Sequence, residues 1–114
     1  MRLPNVQKAL VEEKKISGYL LNAAHPDGTG KARFFRSLGF TTENWKQFAD
    51  ALIKHAIQNH IAEVVESSYG RRYTVVGELM TPSGQIPIVQ TVWIVEKGRP
   101  HPRLITAYPA KRIR

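Results

Sequence analysis

From Ile61 onward the chain reads as four apolar runs, Ile61 to Ser67, Arg72 to Met80, Gln85 to Glu96 and Arg103 to Tyr108, with short connections between them. Ser68-Tyr69-Gly70, Thr81-Pro82-Ser83-Gly84 and Lys97-Gly98-Arg99-Pro100 carry the Gly, Pro and Ser of tight turns. Parallel neighbours need a crossover of about a dozen residues or more, which these turns cannot supply. The runs are therefore predicted to pair antiparallel, in chain order, as a meander. In the third run Ile86, Ile88, Val92 and Ile94 share one face, and Val89, Thr91, Trp93 and Val95 share the other.

The clearest helical period precedes this β region. Trp45, Phe48, Ala49, Leu52, Ile53 and Ala56 recur at the spacing of one buried stripe, with Lys46, Gln47, Asp50 and Lys54 on the other side. Thr41 or Thr42 is placed to N-cap that helix, with Glu43 in its first turn. Trp45 and Phe48 sit on the stripe and read as core anchors. A shorter helix is predicted from about Val11 to Leu21, where Ile16, Tyr19 and Leu20 define a face, and another from Lys31 to Leu38, stopped by Gly39. Helices followed by a meander define an α+β fold, with N-terminal helices packed on a four-stranded antiparallel sheet. At 114 residues the chain is long enough for one core, so residues 1–114 are expected to form a single domain.

No run of about 18 apolar residues is present, and the first residues lack an apolar signal core, so a cytoplasmic protein without a membrane segment is expected. Absence of cysteine excludes disulfides and thiolate metal ligands. Of the four histidines, His55 and His60 are near each other in sequence, but five residues turn a helix by about 500°, so they do not face one metal. They are expected at a helix surface and a helix end, and His101 in a turn. No metal or other cofactor is expected.

Seventeen Lys and Arg against nine Asp and Glu give a formal charge of +8, and the pI is about 10.1. A surface this basic favours a polyanionic partner. The excess is uneven: the last eighteen residues hold Lys97, Arg99, Arg103, Lys111, Arg112 and Arg114 and no acid.

Chemistry concentrates in His25-Pro26-Asp27-Gly28-Thr29-Gly30-Lys31-Ala32-Arg33-Phe34-Phe35-Arg36, where an imidazole and three cations share one glycine-rich loop and the helix turn after it. That combination can hold a phosphodiester and move a proton. At the other end, Thr106 and Tyr108 place two hydroxyls on one face of the last strand. The two segments suggest one site built from both ends of the chain.

Several of these residues carry a resemblance. Tyr19-Leu20-Leu21-Asn22, His25-Pro26-Asp27-Gly28, Gly30-Lys31-Ala32-Arg33-Phe34-Phe35, Leu38-Gly39-Phe40, Asn44-Trp45, Thr91-Val92-Trp93 and Leu104-Ile105-Thr106-Ala107-Tyr108-Pro109 are similar to a small bacterial family catalogued as a domain of unknown function, whose genes often adjoin putative antitoxin genes. The layout also resembles the RNase superfamily named for barnase, EndoU, the tRNase colicins and RelE. That resemblance implies a metal-independent endoribonuclease toxin, cleaving RNA by attack of the 2′-hydroxyl to leave a cyclic phosphate. It implies RNA as substrate and an acidic antitoxin or immunity protein as partner. His25 would carry protons, Lys31 and Arg33 would hold the phosphate, and Thr106 and Tyr108 would line the site as catalytic residues. Thr91, Trp93 and Arg103 would contact substrate.

Two other readings stand beside it. A non-catalytic nucleic-acid- or partner-binding module could use the same cations merely to contact phosphates, and loss of His25 would then hardly matter. A neutralising partner of such a toxin should be acidic, which the charge of this chain opposes.

Overall fold

A computed structural model describes residues 1–26 and 29–110. Asp27 and Gly28 of the glycine-rich loop and the basic tail from residue 111 lie outside the described residues. A 3-10 turn, Val6–Lys8, leads into a one-turn helix α1 (Glu13–Lys15), a π-helical segment (Ile16–Leu20), helices α2 (Thr29–Ser37) and α3 (Trp45–Gln58), and strands β1 (Ile61–Ser67), β2 (Gly70–Glu78), β3 (Ile88–Glu96) and β4 (Arg103–Pro109). The strands form one antiparallel sheet in the order β1-β2-β3-β4, the meander that the short turns require. Among the described residues no helix is long and apolar enough to cross a membrane.

One hydrophobic cluster joins the helices to one sheet face. Tyr73, Val75, Val89, Trp93, Leu104 and Ala107 meet Ile16, Leu20, Phe35, Phe48 and Leu52 there. Phe40 stacks on Phe48 at 4.3 Å between ring centroids, and Phe35 tilts against the same ring at 4.8 Å. Of the two stripes of β3, Val89, Thr91 and Trp93 face this core, while Ile88 and Val92 stay partly open.

Strand β4 carries an irregularity that decides what faces where. Thr106 pairs with Val92 but Leu104 pairs with Trp93, so Ile105 is an extra residue. Leu104 and Ala107 consequently both face the core although three residues apart. Arg103, Thr106 and Tyr108, opposite Ile94, Val92 and Gln90, are aligned on the other face.

The expected helix from Val11 to Leu21 is not one continuous α-helix. After α1 the Leu21 N–H reaches back five residues to the Ile16 carbonyl at 2.8 Å, a π-type turn around the Ser17-Gly18 pair. The wider turn buries Ile16, Leu20 and Leu21 together and leaves Tyr19 half-buried, turned toward β4. α2 ends as foreseen: Gly39 at φ +97° donates to the Arg36 carbonyl, and the Phe40 N–H reaches the Phe35 carbonyl, satisfying the last turn. α3 begins later than a Thr41 or Thr42 cap implies. The Thr41 hydroxyl accepts the Asn44 N–H at 3.2 Å and closes the turn before the helix instead. β3 starts at Ile88, not Gln85, because Pro87 has no N–H to enter the ladder and its carbonyl receives the Leu79 N–H at 3.0 Å.

His55 is a correction to the sequence reading. It lies buried between α3 and β2, with Nδ1 3.1 Å from the Glu78 carbonyl and Nε2 3.4 Å from the Val75 carbonyl. The chain fits tightly beside it. Asn59 donates to the His55 carbonyl at 2.8 Å and fills the space a side chain on Gly77 would need, a Cβ there coming within 2.0 Å of Asn59 Oδ1. Burial lowers the His55 pKa from its usual 6.5, and the two carbonyl contacts only partly oppose that. The folded state therefore keeps His55 neutral where the unfolded chain protonates it. His55 contributes fully above pH 6.5 and loses stability as pH falls from there toward the folded value. Chemical denaturation at a series of pH values is expected to show this slope in the wild type and a weaker one in His55→Gln.

Candidate active site

The site is built around the Lys31 ammonium in the first turn of α2. Its Nζ donates to the Tyr19 phenol oxygen and, at 3.2 Å, to the Thr106 hydroxyl. Tyr19 and Thr106 themselves are in hydrogen-bond contact at 3.1 Å. The same Nζ stands 4.8 Å from the Tyr19 ring centroid and 5.7 Å from that of Tyr108, within cation–π range of both. Helix α2, the π-turn and the edge strand thus meet at one cation.

His25 joins through Tyr19. The imidazole packs edge-on against the Tyr19 ring, with centroids 4.9 Å apart and an interplanar angle of 66°. Its loop is pinned locally: Thr29 Oγ1 donates to the Ala23 and His25 carbonyls, and the His25 N–H reaches the Asn22 carbonyl at 3.1 Å. Arg36 Nε fixes the start of this loop by donating to the Leu21 carbonyl at 2.8 Å. An open groove of about 370 Å³ runs between Lys15, Tyr19, His25, Ile105 and Thr106.

Electrostatics single out Tyr19. Burial raises its pKa, but hydrogen bonds from Lys31 and Thr106 and the charges of Lys31 and Lys15 outweigh that, and the phenol ionises below its ordinary 10.0. Lys15 Nζ lies 5.3 Å from the ring centroid. On the other side, Gln90 Nε2 donates to the Tyr108 hydroxyl, fixing that ring beside the ammonium.

Of the residues singled out in the sequence, His25, Lys31, Thr106 and Tyr108 come together. The other four do not. Arg33 follows Lys31 by two residues, so it points to a different side of α2 and is exposed. Thr91 and Trp93 are fully buried on the core face, the indole N–H donating to the Thr91 hydroxyl at 2.8 Å, which leaves neither open to a substrate. Arg103 is held by Glu96 at 3.3 Å and Glu12 at 4.0 Å, about 7 Å along the sheet from Thr106. Sequence reasoning missed Tyr19, Lys15 and Gln90. Tyr19 falls on the apolar stripe of Ile16 and Leu20, but a phenol at such a position needs a polar partner, and that need is the signal in the sequence.

N-terminal helices on a four-stranded antiparallel meander, with a cation, two phenols, a hydroxyl and an imidazole at the edge strand, define a small α+β domain with a polar site. The chain belongs to the family described as a domain of unknown function, DUF6883, whose pattern it matches over residues 2–111. Its fold is similar to that of a chain in the contact-dependent growth inhibition toxin–immunity protein complex from Klebsiella pneumoniae 342, with a TM-score of 0.69 and 19% identity over 88% of this chain and 98% of that one. No curated protein matches the chain.

Proposed function

We propose that the protein is a metal-independent endoribonuclease acting as a toxin, with the barnase/EndoU/colicin/RelE type of fold. The observation that carries this reading is an open groove lined by Lys15, Tyr19, His25 and Thr106, with Lys31 hydrogen-bonded to the Tyr19 and Thr106 that form its wall. An ammonium has three N–H donors. Two are taken by Tyr19 and Thr106, and the third would meet a phosphate oxygen bound against those two residues.

Cleavage by this route needs three services. A base removes the 2′-hydroxyl proton as that oxygen attacks phosphorus, an acid protonates the departing 5′-oxygen, and a cation offsets charge on the phosphorane oxygens. His25 is the base, its imidazole lining the groove against the Tyr19 ring. Tyr19, whose phenol is acidified by the two lysines, is the acid. Lys31 stabilises the phosphorane, and the Thr106 hydroxyl donates a further hydrogen bond to it. Tyr108 confines the ammonium from the side.

The toxin part rests on charge and on likeness. A formal charge of +8 suits an enzyme that binds RNA and is masked by an acidic immunity protein, and electrostatic steering would make that capture fast. A chain of similar fold occurs in the contact-dependent growth inhibition toxin–immunity protein complex from Klebsiella pneumoniae 342, which supports the toxin reading.

The test is to incubate purified protein with total RNA in EDTA beside His25→Ala. Cleavage by the wild type and its loss in the variant, by about 10²-fold or more, is expected. Equal RNA binding by both proteins with no cleavage by either would make the chain a binding module.

A further inference from the structure

The face of β4 that bears Thr106 continues past the Ile105 bulge to Arg103, where the surface sinks into a second hollow of about 300 Å³. It lies between the Val6–Lys8 turn and the β3–β4 connection. Leu10 and Pro100 line it together with Lys8, Arg99 and His101. The carboxylates of Glu96 and Glu12 are both engaged by Arg103. Lys8, Arg99 and His101 are exposed, and among the described residues their side chains make no hydrogen bond or ion pair. A concave surface whose acids are neutralised and whose remaining cations are unpaired attracts an anion.

We infer that this hollow is a second phosphate-binding subsite, taking the sugar-phosphate backbone of the single-stranded RNA whose scissile bond lies at Lys31. The inference rests on the ribonuclease reading and extends it along the strand. Register places Arg103 and Thr106 on one sheet face, opposite Ile94 and Val92 and so about 7 Å apart, and one extended chain can touch both. That collinearity favours RNA over an acidic protein segment. Lys8 and Arg99 supply point charge and fork to phosphate oxygens. Contacts from these cations go to phosphate oxygens, so the subsite holds backbone and carries no sequence information.

The experiment uses the full chain and a fluorescent, fully 2′-O-methylated RNA of roughly 12 nucleotides, whose binding is followed by anisotropy at several salt concentrations. Blocking the attacking oxygen removes cleavage from the measurement. The Lys8→Ala/Arg99→Ala protein is expected to show a log–log salt slope smaller by about 1.4, two single-strand phosphate contacts at about 0.7 each. A modified dinucleotide, too short to reach the hollow, is expected to bind both proteins equally. Lys46→Ala/Lys54→Ala, which removes the same charge from exposed positions of α3, is expected to leave the slope unchanged. An unchanged slope in the Lys8/Arg99 protein, or an equal fall in the α3 control, overturns the subsite. So does poly-L-glutamate binding that depends on Lys8 and Arg99 while RNA binding does not, which would assign the hollow to an acidic protein. Failure of the ribonuclease reading registers separately, as unmodified RNA left intact while the modified RNA binds with its full slope.

Discussion

Lys31→Ala is expected to lower kcat/KM for RNA cleavage by about 10²–10³-fold, the usual effect of removing one preorganised donor to a developing oxyanion. The structure makes this cation difficult to replace. Tyr19 and Thr106 fix it from two directions, and the rings of Tyr19 and Tyr108 flank it. The fold should survive its loss, because Tyr19 and Thr106 remain hydrogen-bonded to each other at 3.1 Å. A second readout separates loss of catalysis from loss of structure. The Tyr19 phenol is held below 10.0 in part by Lys31, so ultraviolet titration of the variant should show one tyrosine ionising at higher pH than in the wild type. Cleavage within a few-fold of wild type, with an unchanged tyrosine titration, would remove Lys31 from the mechanism.

Trp93→Ala is expected to destabilise the protein by about 3–5 kcal/mol. Trp93 is fully buried in the cluster that joins the helices to the sheet, and its N–H satisfies Thr91, so truncation leaves both a cavity and an unpaired hydroxyl. The melting temperature should fall by about 10–20 °C for a domain of this size, as read by thermal unfolding followed by circular dichroism. Trp93→Phe, which keeps most of the apolar volume, should cost much less. A stable Trp93→Ala protein that had lost RNA affinity alone would instead return this residue to the substrate surface.

Much of the fold was legible because the turns are short. The meander follows from connections that admit no crossover, and β1 spans Ile61–Ser67 as its apolar run implies. The stripe from Trp45 to Ala56 does pack on the core. What the sequence left open were features set by contacts from elsewhere. Period-two alternation shows that β3 has two apolar stripes but not which one the helices cover, so it could not test the substrate contact that the resemblance implies for Thr91 and Trp93, both of which are buried. The Ile105 bulge comes from pairing with β3, so nothing local in Ile105-Thr106 reveals that Arg103 and Thr106 share a face. His55 looks like part of a polar helix side until β2 closes over it with two carbonyl groups.

At the site, the loop and last strand could be linked by residue type alone: an imidazole and lysine near glycine at one end, paired hydroxyls at the other. Tyr19 could not be ranked in the same way. Its role depends on the π-turn that swings it toward β4, and a continuous α-helix was the simpler expectation for Val11 to Leu21.

The central claim is cleavage through the substrate's own 2′-oxygen. The most direct measurement is mass spectrometry of the ends formed from a defined RNA oligonucleotide in EDTA, beside the same sequence with 2′-O-methyl groups. The account predicts 2′,3′-cyclic phosphate on the upstream products and no cleavage of the methylated strand. Cleavage of the methylated strand, or an intact unmodified strand under conditions where it is bound, would contradict it.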